Sequence, residues 1–185
     1  MIKDLLRETE DRMHKSVEAL EADLRTVRTG RASPALVERV MVEYYGALTP
    51  LNQLAVISAP EPQLLTVRPY DPGSLSDIER AILKSELGLT PSSDGRIIRL
   101  PIPRPTEERR RELVKMVARR IEAGKVALRN IRREALDDLR ESENEKLVSE
   151  DDFYCAKEDL QDLTDRYSSQ MDEISDRKQR EIMEV

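Results

Sequence analysis

Residues suited to catalysis or covalent cross-linking are scarce in this chain, which has one cysteine, Cys155, and one histidine, His14. A single cysteine has no partner for an internal disulfide, and one His with one Cys is too few for a His/Cys metal site. His14 lies among charged residues, as a surface histidine does. Neither GxxxxGK[ST] nor GxGxxG occurs, so a phosphate-cradling loop is missing. We therefore expect no enzyme activity, no catalytic residues, no metal and no cofactor, and we expect Cys155 to be a small, semi-buried residue.

Long hydrophobic runs and large aromatics are also rare. No run of about 18 apolar residues exists, which argues against a membrane span. The first residues, MIKDLLRETEDRMHK, are charged throughout and do not resemble a secretory signal. With one free cysteine, this predicts a protein of the reducing cytoplasm. The chain has no Trp, one Phe, 38% hydrophobic and 37% charged residues, a balance typical of long helices with narrow apolar stripes.

Charge is unevenly distributed along the chain. The net charge is −6, yet residues 104–133 carry eleven basic and four acidic side chains, whereas residues 134–185 carry seven and eighteen. Overall acidity therefore does not exclude an anionic partner, and the local basic segment mildly favours one.

Three segments show the apolar spacing of long amphipathic helices. The first runs from Ile2 to Thr29 and is followed by Gly30, which we interpret as its C-terminal glycine. The second begins after Thr106, and the third begins after Ser149, with Asp152 at the capping-box position. Such helices can bury their stripes only against one another, which predicts a slender three-helix bundle. The predicted apolar seams of the three helices are, in order, Met13, Val17, Leu20, Leu24 and Val27; Val114, Val117, Ile121, Gly124, Leu128, Ile131 and Ala135; and Ala156, Leu160, Leu163, Tyr167, Met171, Ile174 and Ile182.

Residues 31–103 have a different character. Nine of the ten prolines lie there, between short β-rich runs: LVERVMVEYY, LAVISA, LLTVRPY and RIIRLPI. One helix is predicted from Ser76 to about Leu87, because SDIE is a capping box and Gly88 follows as a stop. Adjacent Tyr44 and Tyr45 would face opposite sides of a strand, one packed and one exposed. We interpret this segment as a small α/β module inserted between the first two long helices.

A basic stripe runs along one flank of the second long helix. At 100° per residue, six cations fall between about 40° and 140° from Leu128, with Glu122 among them. We call these six residues the basic stripe: Arg111, Lys115, Lys125, Arg129, Arg132 and Arg133. One interpretation is a row of ion pairs to acids on the third helix. The other is a phosphate-binding edge, since arginine forks suit phosphate oxygens. The residue pattern alone leaves both open.

Several segments together resemble the bacterial ribosome recycling factor family. They are LRTVRTGRASPALVERVMVEYYG, TPLNQLA, SELGLTPSSDG, RLPIPRPTEERRREL and VALRNIRREALDDL, in the same order and with matching lengths over the whole chain. One departure is Arg104-Pro105, where the family usually reads Pro-Leu.

The resemblance implies an α+β fold: an elongated three-helix bundle with an inserted small β/α/β sandwich domain, L-shaped, with a two-stranded hinge. The bundle would comprise residues 1–30 and 105–185, and the inserted domain residues 31–104. The implied function is ribosome recycling. Such a protein binds the post-termination ribosome between the subunits and, with elongation factor G and GTP hydrolysis by that factor, splits it for a new round of translation. We expect a monomer that contacts large-subunit ribosomal RNA and no membrane.

The resemblance also assigns residues. The family's RNA contact is carried chiefly by the RNIRR arginines, here Arg129, Arg132 and Arg133, and further RNA-facing residues would be Arg110, Arg28 and Arg31. The predicted hinge residues are Thr29, Gly30, Arg31, Pro103, Arg104 and Pro105. A different class of protein, a coiled-coil adaptor that binds a protein partner through its acidic third helix, is the alternative.

Overall fold

The computed structural model describes residues 1–184, which form two compact units. One unit combines Met1–Arg28 with Glu108–Glu184, and the other is Thr29–Glu107. Within the described residues, no helix is both long and apolar enough to cross a membrane.

The first unit is a bundle of three helices: α1 (Ile2–Arg25), α4 (Glu107–Asn144) and α5 (Glu150–Met183). The predicted seams pack together in one apolar core in which Met13, Val117 and Met171 are fully buried. The core extends further than the heptad spacing indicated, because Leu113 and Leu139 of α4 and Phe153 of α5 are also buried. Three helical stripes closing on one another therefore account for this unit.

The end of α1 differs from the prediction. The helix stops at Arg25, where Thr26 Oγ1 donates a 2.6 Å hydrogen bond to the Asp23 carbonyl and so occupies a terminal acceptor. Gly30 has a positive φ of 82°, but it lies beyond the helix and is not its C-terminal glycine. Val27 is buried in the same core although it follows the helix.

The start of α5 follows its predicted cap. Ser149 Oγ accepts from the Asp152 backbone N–H at 3.2 Å and donates to the Asp152 carboxylate at 2.8 Å. Three acidic residues occupy the first turn, where the helix dipole favours negative charge. Cys155 is exposed, which corrects the prediction of a semi-buried side chain. It lies between the buried Phe153 and Ala156 on a helix that can turn only one face to the core.

The second unit contains two antiparallel sheets and one substantial helix. Strands β1 (Met41–Tyr44) and β2 (Ala47–Pro50) form a hairpin, and a short helix α2 (Leu51–Leu54) follows. The larger sheet has the order β3-β4-β6-β5, built from β3 (Ala55–Glu61), β4 (Leu64–Pro69), β5 (Ser92–Ser93) and β6 (Ile98–Pro101). Leu65 and Val67 of β4 and Ile98 and Leu100 of β6 are fully buried in a core of this unit's own.

Helix α3 (Leu75–Lys84) begins earlier than predicted. Its N-cap is Ser74, so Ser76 lies inside the first turn and the SDIE segment is not the capping box. The preceding 3-10 turn (Pro72–Ser74) starts at Asp71, whose carboxylate accepts from the Gly73 N–H at 2.9 Å. This turn directs the chain into the helix, and local sequence matches alone did not separate the two serines.

The β1–β2 hairpin explains the paired tyrosines. Tyr44 and Ala47 are register partners, so Tyr45 and Gly46 form a two-residue loop in which both φ values are positive, as in a type I′ turn. Tyr44 is half-buried and donates to Asp71 Oδ2 at 3.1 Å, whereas Tyr45 is 86% exposed. Burial, and then the neighbouring Asp71, raise the pKa of the Tyr44 hydroxyl.

Candidate nucleic-acid interface

The basic stripe is a surface feature of α4. Arg111, Lys115, Arg129 and Arg133 are exposed, and Lys125 and Arg132 are half-buried. The steps between successive stripe residues are four, ten, four, three and one, and at 100° per residue they keep all six side chains within about 100° of one flank of a straight helix. The flank adjoins α5, since both half-buried members have partners on that helix.

Lys125 fits the ion-pair interpretation. Its Nζ lies 2.5 Å from Asp172 Oδ1 on α5, and its side chain is 25% exposed. On the opposite flank of α4, Arg120 pairs with Asp23 of α1 at 3.2 Å, and Glu134 pairs with Arg12 of α1 at 2.6 Å. Such exposed pairs contribute less than about 1 kcal/mol each.

The RNIRR arginines do not form such bridges. Arg129 Nη2 lies 2.8 Å from Glu122 Oε1 on the same helix, and both side chains are more than half exposed. Arg133 is exposed and has no hydrogen-bond or ion-pair partner among residues 1–184. Within those residues, none of the three guanidinium groups is ion-paired to α5.

Arg132 is held by a neutral partner. Its Nη1 donates to Gln161 Oε1 at 2.5 Å, and Gln161 Nε2 donates to Asp165 Oδ1 at 2.8 Å. Because a carboxylate only accepts hydrogen bonds, the contact with Asp165 turns the amide oxygen of Gln161 towards Arg132. Gln161 thereby orients the guanidinium of Arg132 without balancing its positive charge, as a carboxylate would. The remaining N–H donors of the guanidinium can then bind an anion.

The other predicted RNA-facing arginines lie elsewhere. Arg110 is half-buried near the start of α4, and its Nη1 donates to the Met183 carbonyl at 3.5 Å. At 1.5 Å per residue it is roughly 28 Å along the helix from Arg129. Arg28 follows α1, belongs to the first unit and is exposed. Arg31 belongs to the second unit and is half-buried, and its buried Nε has no hydrogen-bond partner among residues 1–184. Within the bundle, the RNIRR arginines therefore lie together on α4, and Arg110 lies near the other end of the same helix.

The predicted hinge residues all belong to the second unit, and two of them, Gly30 and Pro105, are in close contact. Gly30 is so close to Pro105 that a Cβ added to the glycine would lie 2.6 Å from Pro105 Cδ. Arg104 Nε donates to Gln63 Oε1 at 2.7 Å, which gives the residue that departs from the family pattern a specific partner. Thr29 is buried and Pro103 is exposed.

A groove beside Arg132 contains residues that the sequence analysis did not select. It lies between α4 and α5 and includes Tyr154, Lys157 and Gln161. Their spacing of three and four places them on one face of α5, a signal visible in the sequence. Which face of α5 meets α4 depends on packing, so the sequence did not connect these residues to the RNIRR segment.

Comparison with known proteins identifies relatives along the whole chain. A family model described as "Ribosome recycling factor" matches residues 20–183. The chain is 57% identical to the ribosome-recycling factor of Roseiflexus castenholzii over 185 residues and 51% identical to that of Bacillus subtilis, with 100% of both chains covered in each case.

Two solved structures are similar in fold. A solution structure of the ribosome recycling factor superposes with a TM-score of 0.72 at 41% identity, covering 100% of this chain and 98% of the other. The second belongs to a set of models for the T. thermophilus ribosome recycling factor and the E. coli elongation factor G bound to the E. coli post-termination complex. It has a TM-score of 0.63 at 46% identity and covers 98% of each chain.

Proposed function

Because the chain belongs to the ribosome recycling factor family, we propose that it recycles ribosomes after termination. It binds the post-termination ribosome between the subunits and, with elongation factor G and GTP hydrolysis by that factor, splits it for a new round of translation. The observation that carries this proposal is the full-length identity of 51–57% to ribosome-recycling factors. A solved relative accompanied by elongation factor G on a post-termination complex supports the choice of partner.

The protein contributes binding and mechanical stiffness, not bond chemistry. The family is one of translation factors, and we propose that GTP hydrolysis by elongation factor G supplies the work. Helix α4 has 38 residues and spans about 57 Å, and its apolar face is buried against α1 and α5. A helix supported along this length transmits a push with little bending. We place this activity in the cytoplasm, where translation takes place.

The RNA contact is assigned to Arg129, Arg132 and Arg133. Two features support the assignment: Arg133 has no competing partner among residues 1–184, and Arg132 is oriented by a neutral amide. Arg129 has an exposed intrahelical pair of the kind that contributes little, so a phosphate can replace Glu122 at small cost. Arg110, Arg28 and Arg31 are proposed as additional contacts.

The domain division is also part of the proposal. The proposed division assigns residues 1–30 with 105–185 to the RNA-binding domain and residues 31–104 to the domain on which elongation factor G acts. Its boundaries differ from those of the two compact units by two residues at the first crossing and three at the second. The hinge comprises the residues of the two chain crossings, Thr29, Gly30, Arg31, Pro103, Arg104 and Pro105.

The salt dependence of ribosome binding tests the RNA contact. If the three arginines neutralise three phosphates, they contribute about −2.7 to the slope of the logarithm of the binding constant against log salt, which is a factor of about 40 in the loss of affinity between 50 and 200 mM. Arg133→Gln should reduce the magnitude of the total slope by about 0.9, which makes the loss of affinity over that salt range about 3.5-fold smaller. Arg133 is exposed and unpaired among the described residues, so its replacement should change unfolding free energy by less than about 0.5 kcal/mol.

Lys15→Gln is the matched control, because Lys15 is an exposed cation of α1 away from the basic stripe. It should leave the slope unchanged. Sedimentation of post-termination ribosomes with elongation factor G and GTP then measures splitting directly. Normal binding and splitting by Arg133→Gln at all salt concentrations would remove Arg133 from the interface. Salt-independent binding by the parent chain would favour a protein-binding adaptor.

A further inference from the structure

The groove between α4 and α5 opens next to the RNIRR arginines. The groove is open to solvent along one side and has a volume of about 390 Å³, within the range of about 300–1,000 Å³ typical of small-ligand sites. Its main components are an apolar wall, two cations, one acid and an aromatic ring: Leu136, Arg132, Lys157, Glu158 and Tyr154.

Tyr154 is an exposed aromatic in a chain with few aromatics. Its side chain is 55% exposed, whereas the neighbouring Phe153 is only 7% exposed and belongs to the bundle core. The two rings meet edge to face, with centroids 5.6 Å apart and planes at 77°. The buried Phe153 ring therefore restricts the motion of the exposed Tyr154 ring, so less conformational entropy is lost when a ligand binds.

The groove's cations are available to an anion. Lys157 is exposed and has no hydrogen-bond or ion-pair partner among residues 1–184, and the partner of Arg132 is the neutral Gln161. Glu158 contributes a carboxylate at the same groove, which suits an exocyclic amine of a base and disfavours a bare anion filling the whole cavity.

These features match the chemistry of an unpaired nucleotide. Proteins bind splayed-out RNA bases by stacking them on aromatic rings while cations hold the backbone phosphates. A double helix cannot enter a groove of this size, but one extruded base can. The apolar Leu136 wall and the Tyr154 ring would cover the base, and Arg132 and Lys157 would contact its phosphates.

We propose that this groove binds one unpaired nucleotide of the RNA contacted by the RNIRR arginines, with Tyr154 as the stacking residue. The inference rests on the proposed function and extends it, since it adds base contact from α5 to phosphate contact from α4. It makes Gln161 a positioning residue, because Gln161 holds Arg132 at the edge of the groove.

Binding of the full-length chain to purified large ribosomal subunits tests the proposal. Base stacking on an aromatic ring corresponds to about 5- to 150-fold in affinity. Tyr154→Leu should lose affinity in that range with an unchanged salt slope, since the ring carries no charge. Tyr154→Phe keeps the stacking face and should stay within about two-fold of the parent. Lys157→Gln should instead reduce the slope by about 0.7 to 0.9.

Ultraviolet cross-linking with mass spectrometry supplies a second readout. We expect a nucleotide attached to Tyr154 in the bound complex; a ribosomal-protein peptide at that position would overturn the proposal. Unchanged affinity of Tyr154→Leu would also overturn it. If Arg133→Gln still lowers the salt slope in that case, the proposed RNA contact stands and only the nucleotide groove is wrong. If neither variant has an effect, both fail. Unchanged thermal unfolding of each variant confirms that folding is intact.

Discussion

Replacing Gly30 with alanine should destabilise the second unit for two separable reasons. The first is backbone conformation: Gly30 has a φ of 82°, and an L residue in the left-handed region costs about 1–2 kcal/mol. The second is steric: the new Cβ would lie 2.6 Å from Pro105 Cδ and 2.9 Å from Pro105 Cγ. A proline ring cannot rotate away, so relief requires a backbone shift, and overpacking of this kind costs about 1–3 kcal/mol.

Gly46→Ala is the matched control for the backbone term. Gly46 has a nearly identical φ of 79° and belongs to the same unit, but no atom lies within 4 Å of its added Cβ. Both substitutions also restrict the unfolded chain, which offsets about 0.4–1 kcal/mol in each. We expect Gly46→Ala to cost about 1 kcal/mol and Gly30→Ala about 2–4 kcal/mol, the difference being the contact with Pro105.

The two units need not unfold together, so a single unfolding free energy would not describe the whole chain. Native-state hydrogen exchange is the suitable assay, because it measures the opening free energy of each unit separately. The slowest amides of β4 and β6 report the opening of the second unit. Pro105→Ala removes Cγ and Cδ, so adding it to Gly30→Ala should recover the steric part of the loss. Equal losses in Gly30→Ala and Gly46→Ala, or no recovery in the double variant, would refute the steric contribution.

Two further predictions concern the bundle. A Cβ on Gly124 would lie 3.2 Å from Met171 Sδ and 3.3 Å from Leu20 Cδ2, so the ends of both side chains must shift by a few tenths of an ångström. Gly124→Ala should be nearly neutral, because about 1 kcal/mol of helix propensity offsets these contacts. Gly124→Val should cost about 1–3 kcal/mol, because the larger side chain overpacks the core. Melting followed by circular dichroism checks this, and equal stability of the two variants would contradict it. The Tyr167 hydroxyl donates a 3.2 Å hydrogen bond to Glu10 Oε1, and burial, followed by Glu10, raises the pKa of this hydroxyl above 10.0. The stability that the neutral hydroxyl contributes is therefore fully present below about pH 10 and is lost as pH rises through the raised pKa. Tyr167→Phe should be less stable at neutral pH, by about 1 kcal/mol, and its stability should fall less steeply above pH 10 in urea titrations; parallel pH profiles would contradict the assignment.

The periodic parts of the sequence were sufficient to predict the bundle. An apolar stripe repeated over many turns, such as the one through Val117 and Leu128, must be buried, and only the stripes of the other two helices can cover it. Packing of the three helices along their lengths follows from this. Signals that act over one turn were less decisive. Gly30 and Ser76 each matched a helix-end pattern, yet the helices end at Thr26 and begin at Ser74. A local pattern places a helix end only to within a few residues, and the hydrogen bond from Thr26 and the 3-10 turn at Pro72–Ser74 decide the observed positions.

The sequence by itself determined that α4 carries cations along one flank, because side-chain direction on a helix follows from spacing alone. Tertiary structure decided what each cation meets: Lys125 meets a carboxylate of α5, Arg132 meets an amide, and Arg133 meets solvent. It also brought Tyr154 beside Arg132. The physical reason is that the rotation of α5 against α4 is fixed by how buried side chains fill the core between them, a condition that depends on all three helices at once.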